Sequence, residues 1–280
     1  MSQVLTAEAP RAWVSRLSPF LTVYWLILFG LILLALLAPW IAPYDPVTAD
    51  LDAKLLSPSW DHLFGTDTNG MDVFSRVLWG ARTDLTIAIV GVLIGAAIGV
   101  PVGAAAGYLG GIVDDVLSRI SDMAQALPFL LFALMVFAAA GNSRGVLVGI
   151  IAFGNVPIFL RLTRSVVLPL HASDFIAAAR CAGLGPTRII ARHVLPNALG
   201  PFSSQVSLSC AYAIQIVAGL AFIGQGVPKP EPEWGSMIQV GAGGIIYGEW
   251  WPVLFPGLAI IVAVFAFGGI GRQLSRWYAS

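Results

Sequence analysis

The sequence predicts an all-α membrane protein with six transmembrane helices, and three observations carry that prediction. Hydrophobic residues make up 58% of the chain and charged residues only 11%, whereas soluble domains carry about a quarter charged residues. Long uncharged runs recur at lengths that suit a bilayer. Lys and Arg are unevenly shared between the loops those runs define. The formal net charge is zero, so there is neither a basic excess for nucleic acid nor an acidic tail.

A spanning helix needs about 20 apolar residues, because the hydrocarbon core is about 30 Å thick. Runs of that size lie between Arg16 and Asp45, Asp84 and Asp114, Asp122 and Arg144, His193 and Lys229, and from Trp250 to Gly271. A sixth, between Arg144 and Arg161, holds 16 residues. It counts as a span because terminal arginines extend their stems along apolar surface and keep their charges in the interface. The first apolar core, about Phe20 to Ala42, is too long for a cleaved secretory signal and is expected to stay as an anchor.

Six spans place both termini on one side. With the termini cytoplasmic, the inner segments hold Arg11, Arg16, Arg119, Arg161, Arg164, Arg180, Arg188, Arg192, Arg272 and Arg276, leaving Lys54, Arg76, Arg82, Arg144 and Lys229 outside. The positive-inside bias selects that orientation.

Two outer segments are long. Gly70 to Arg82 places Met71, Phe74, Val77, Leu78 and Ala81 at helical spacing, which predicts a short helix lying on the outer surface. The segment Gly224 to Met237 is stiffened by prolines. It offers Glu231, Glu233 and Trp234 as a docking surface for an external partner, or as part of a rigid cover. Within the second span, Gly91, Gly95, Gly99, Gly103 and Gly107 repeat every four residues, which lets another backbone come close for packing or gating. Each step of four overshoots a turn by about 40°, so the stripe winds and more than one neighbour is expected on it.

Chemical motifs are few. Gly141 to Gly145 fits G-x-S-x-G, but Ser143 lies in an outer turn between hydrophobic helices with no strand before it. The only lysines are Lys54 and Lys229, neither preceded by glycine, so a phosphate loop is absent. Cys181 and Cys210 lack any metal-ligand spacing. No acidic residue sits clearly inside a predicted span, as a secondary transporter would need, and paired broken helices are not evident. Asn155, Gln205 and Gln215 are the polar candidates for lining a pathway, with interhelical hydrogen bonding as the competing use.

After Arg161, Ser173 or Asp174 is placed to cap a helix from about Phe175 to Ala182, with Gly183 as its left-handed C-terminal cap. Pro186 opens a second helix, and Pro196 marks its end or a kink. The first helix is small and apolar, which suits docking into a partner's groove or resting on lipid.

These residues resemble a family. Ala177-Ala178-Ala179, Gly183 and His193-Val194-Leu195-Pro196 are spaced like the EAA loop of bacterial ABC importer permeases. The segments Phe64 to Leu85, Leu195 to Pro201, and Pro228 to Met237 are similar to the second permease of the dipeptide, oligopeptide and nickel importers, in the same order along the chain. The resemblance implies a MetI-like type I importer core over 85–280, with an extra span and periplasmic segment over 1–84 and the EAA loop at about 174–201. It implies an inner-membrane subunit, not catalytic itself, that pairs with a homologous permease. Two cytoplasmic ATPases would carry ATP and Mg, and an external binding protein would select the solute. Asp174, Ala177, Ala178, Ala179, Arg180, Gly183, Arg188, Arg192, His193 and Pro196 would couple the loop to the ATPases. No cofactor or metal is expected in this chain. Ala177 stands where the family usually has Glu, and Met71 where it usually has Arg.

Overall fold

The computed structural model describes residues 19–171, 173–194 and 199–279, and the elements among them are helical apart from one isolated bridge between Thr66 and Asp72. Helix α1 (Pro19–Ile41) leads through a folded connection with one 3-10 turn (Leu51–Ala53) into α2 (Val73–Leu109). Next come α3 (Gly111–Ala126), α4 (Phe129–Ala140) and α5 (Arg144–His171). A compact turn follows, built from α6 (Asp174–Cys181), α7 (Pro186–Ile189) and a π-helical stretch, Ile190–Val194. Helices α8 (Leu199–Phe222), α9 (Trp234–Gly241) and α10 (Trp251–Ala279) complete the chain.

Five of these helices, α1, α2, α5, α8 and α10, are long and apolar enough to cross a membrane, and α3 with α4 reaches that length and apolarity only as a pair, bent by 82° at their break, which fits either a broken sixth span or a re-entrant loop. The bend has a local cause. Pro128 has no N–H to continue a ladder and disfavours the helical region for the residue before it; Leu127 is accordingly extended, at φ −77°, ψ 128°.

Helix α2 corrects one expectation. The amphipathic stretch from Gly70 to Arg82 is not a separate surface helix, because the ladder runs unbroken from Asp72, whose side chain caps Ser75 N at 2.8 Å, to Leu109. At 1.5 Å per residue its 37 residues reach about 55 Å, well beyond the apolar thickness. Asp84, the expected edge of a span, therefore lies inside a continuous helix.

The most extensive packing is α2 on α5. A Cβ at Gly91 would meet Ile151, at Gly95 Asn155 and Ala152, at Gly99 Val156 and Phe159, at Gly103 Leu160, and at Gly107 Arg164 and Val167. The whole stripe thus faces one neighbour, contrary to the expectation of several. The contacts on α5 advance by about four residues per glycine, so the partner row winds with the stripe and stays in register. The main core gathers α1, α2, α4, α5, α8, α9 and α10 around residues such as Leu147, Phe159, Ile214 and Ala266.

The short apolar run of α5 is resolved by pairing. Arg161 donates to Asp122 of α3 at 2.7 Å, and Arg164 makes a two-pronged contact with Asp114, its NH2 donating to Oδ2 at 2.7 Å. α3 therefore supplies carboxylates to the two arginines that follow the apolar run of α5. Bidentate pairs are the strong, geometry-fixing class. Arg164→Lys keeps the charge but loses the fork, and a drop of a few degrees in thermal midpoint is expected, in detergent and at low salt, with no change in helix content.

Candidate functional site

At the end of the molecule carrying α6 and α7, short local rules shape a ridge. Ser173 O receives the amides of Ile176 and Ala177, while the Ser173 hydroxyl turns back to donate to Leu170 O at 2.6 Å. The backbone of Ser173, not its side chain, thus opens the helix. At the other end Gly183 has φ +76°, and Leu184 N donates to Ala179 O at 3.2 Å. This is the left-handed stop that glycine makes without a Cβ penalty. Pro186 is the first residue of α7, as its fixed φ suits.

The ridge is held by its own small core. Ile176 and Ala179 of α6 and Ile189 of α7 are buried against Ala104 and Tyr108 of α2 and Val167 of α5, with Leu184 closing one side. The opposite face is open: Asp174, Ala177, Ala178, Cys181, Ala182, Gly183, Arg188 and Arg192 are exposed. Ala177 and Ala178 present two methyl groups and no carboxylate. His193 falls in the π-helical stretch, Arg180 in α6, and Pro196 outside the described residues.

The other end is organised around Trp234. Contrary to its expected place in a docking surface, it is 1% exposed and Glu233 is 0% exposed, so neither presents a surface. The indole sits against Gly80, its Nε1 donates to Val77 O, and its backbone N donates to Asp84 Oδ2, both at 3.0 Å. Glu233 is the N-cap of α9, accepting from Gly235 N and Ser236 N at 2.8 Å each. Burial pushes the Glu233 carboxyl above its usual range, while those amides pull it back down. Of the three candidates only Glu231 stays accessible, paired with Arg144 at 2.8 Å beside an open hollow of about 510 Å³. Sequence reasoning missed Asp84 because its partner Trp234 is 150 residues away.

Arg76 locks this end. Its NH1 donates to Pro46 O at 2.6 Å and Pro230 O at 3.2 Å and lies 2.7 Å from Met71 Sδ, tying the α1–α2 connection at two points to the α8–α9 connection. Ser143 Oγ accepts from Val146 N at 3.1 Å, and His62 Nδ1 lies 3.0 Å from Asp72 Oδ1. The turn at Ser143 is therefore a helix start, with its hydroxyl used as a cap.

The polar residues considered for a pathway divide. Asn155 is buried in the α2–α5 seam, its Nδ2 donating to Ile151 O at 2.8 Å and its Cβ facing Gly95. Gln205 donates to Ser209 Oγ on its own helix at 3.2 Å, and Gln215 is exposed. No group of three or more metal-ligating side chains occurs among the described residues.

Fold and surface together define a polytopic helical membrane protein that presents a short helix-turn-helix, buried on one face and open on the other, at one end. The chain belongs to the family of binding-protein-dependent transport system inner membrane components, which matches residues 99–280. Residues 25–58 match the N-terminal TM domain of oligopeptide transport permease C. The dipeptide transport system permease protein DppC of Escherichia coli (strain K12) is 42% identical over 86% of this chain and 82% of its own. The probable D,D-dipeptide transport system permease protein DdpC of the same organism is 35% identical over 94% of this chain and 88% of its own. DppC of Alkalihalophilus pseudofirmus is 39% identical over 89% and 82% respectively. The inward-facing MetNI methionine ABC transporter shares the fold, with a TM-score of 0.58 at 18% identity, over 73% of this chain and 97% of that one. The buried Asp84 and the bent α3–α4 pair are features a secondary transporter also shows, so the family membership, not their expected absence, decides the class.

Proposed function

We propose that this chain is one of two homologous permease subunits in an ATP-driven importer of dipeptides, oligopeptides or a related small solute such as a nickel chelate. The peptide preference follows the names of the relatives above. Both termini and the α6–α7 ridge face the cytoplasm, where the Lys and Arg bias places them. Two ATPases there carry ATP and Mg, and an extracytoplasmic binding protein delivers the solute to the opposite end. The chain contributes half of the pathway and no covalent chemistry.

The observation that carries this reading is the two-sided ridge. Its inner face is locked to α2 and α5 by Ile176, Ala179 and Ile189, while its outer face of small side chains and arginines is open. A rigid element docked in a groove transmits a displacement without deforming, so closure of the ATPase pair would move α2 and α5 together. The missing carboxylate at Ala177 leaves shape and the exposed Arg188 and Arg192 to make the contact.

Ala178→Asp adds a charge to the exposed face without touching the small core. ATP hydrolysis in reconstituted vesicles should then lose its stimulation by the loaded binding protein, and uptake should fall at least about tenfold, equivalent to about 1.4 kcal/mol of coupling. Uptake at the original rate would remove the ridge from the coupling path.

A further inference from the structure

We propose that Asp84 and Glu233 form a proton-binding site, in which a single proton is held on Oδ1 of Asp84 and donated to the Glu233 carboxylate.

The two side chains are 2% and 0% exposed, and Asp84 Oδ2 accepts at 3.0 Å from the amide of Trp234, the residue directly after Glu233, which brings α2 against the start of α9 at this point. Their oxygens are unequally occupied. Both oxygens of Glu233 accept α9 amides, at Gly235 and Ser236. Asp84 Oδ2 accepts from Trp234 N, while Asp84 Oδ1 is fully enclosed and no donor reaches it. Two buried carboxylates without a cation repel one another and forgo hydration, and the ordinary relief is for one to keep its proton. Glu233 is the poorer carrier, because protonating either oxygen would weaken an amide bond it already accepts. Oδ1 of Asp84 is the free position.

Among the described residues, no neighbouring element offers another solution. α8 contains no charged residue, and α10 has only Arg272 and Arg276, near its far end. Arg76, eight residues before Asp84 on α2, is committed to Pro46, Pro230 and Asp67. Glu231 is paired with Arg144, and Arg82 lies over the Trp79 ring. On α9 the Ser236 hydroxyl donates to the Glu233 carbonyl oxygen, and Gln239 accepts from Lys229 at 3.0 Å, so that cation is engaged elsewhere. Burial pushes Glu233 upward, in keeping with a proton kept in the pair.

The sign of the pH effect follows. The folded chain holds a proton that the unfolded chain releases once the pH exceeds the ordinary carboxyl range. The pair's contribution to stability is therefore fully present below the ordinary carboxyl range and declines as pH rises toward the pair's own pKa, where it alone would raise the unfolding constant about tenfold per pH unit.

The test uses the full-length chain in the complex in which it purifies. Thermal midpoints are measured across the range from acid to alkaline pH, and infrared difference spectra are recorded for the C=O stretch of a protonated carboxyl. Asp84→Asn is the informative variant, since its amide donates where the proton would and its carbonyl still accepts from Trp234 N. The expected results are a wild-type midpoint that falls with rising pH, a flatter profile in D84N with equal or higher stability at alkaline pH, and loss of the infrared band in D84N. Glu233→Gln should be worse than D84N, because it turns an NH2 toward an amide donor. A D84N protein that does not fold, a wild-type spectrum without the band, or stability that rises with pH on adding Na⁺ or Ca²⁺ would each overturn the proposal, the last by placing a metal ion there.

Discussion

Gly103→Val is expected to leave almost no monodisperse protein after extraction in mild detergent, while Gly149→Ala on the neighbouring helix extracts like the parent. A Cβ at 103 would lie 2.9 Å from both the carbonyl carbon and the Cα of Leu160, where carbon atoms normally sit about 3.5–4.0 Å apart. Backbone cannot rotate away as the tip of a side chain can, so α2 and α5 must separate. In lipid there is no hydrophobic drive between helices to compensate, and the seam depends on close contact. Overpacking ordinarily costs about 1–3 kcal/mol, and valine's added methyls take this site to the upper end or beyond. Gly149 is exposed and has nothing within 4 Å of an added Cβ. Equal yields from the two variants would show that the stripe is not the packing seam.

Trp234→Ala is expected to lower stability by about 3–5 kcal/mol, the range for deleting a buried large aromatic. The loss combines the ring seated on Gly80, the Nε1 bond to Val77 O, and the position of the amide that Asp84 accepts. Trp234→Phe keeps most of the volume and gives up one neutral hydrogen bond, worth about 1 kcal/mol. The measurement is the thermal midpoint of the purified complex, with Phe intermediate between Trp and Ala. If Trp234→Ala kept its midpoint and lost affinity for the binding protein instead, the residue would be a docking contact after all, and the buried placement would be wrong.

Local chemistry makes part of the site legible from the residues alone. The ridge is encoded within about twenty residues: Gly183 for a left-handed stop, Pro186 for a fresh start, and the spacing of Ile176 and Ala179 for one buried face. Such signals act through the backbone of their own segment, which is why α6 falls within a residue of its expected place and α7 opens at Pro186, although it passes into a π-helical stretch after Ile189 and its expected end at Pro196 lies outside the described residues. Pro128 is an equally local signal for the break between α3 and α4, and treating Asp122 to Arg144 as one uninterrupted span passes over it.

The distant pairings are not legible in that way. Asp114 and Asp122 meet arginines on α5 that are 50 and 39 residues on, and Trp234 meets α2 from 150 residues away. A sequence period reports which face of a helix is apolar or small, but not which neighbour covers it. The glycine stripe shows that limit, since its winding suggests several partners and α5 winds with it.

Hydropathy, caps and motif order are written residue by residue, so the membrane class, the run of spans, the helix-turn-helix ridge and the family likeness all follow from the chain's own order of residues. Three other facts needed the packed helices: that Trp234 and Glu233 are buried, that α5 covers the glycine stripe along its length, and that the buried Asp84 accepts from the Trp234 amide. They depend on which surfaces close over one another, and burial and charge proximity exist only once those surfaces have met.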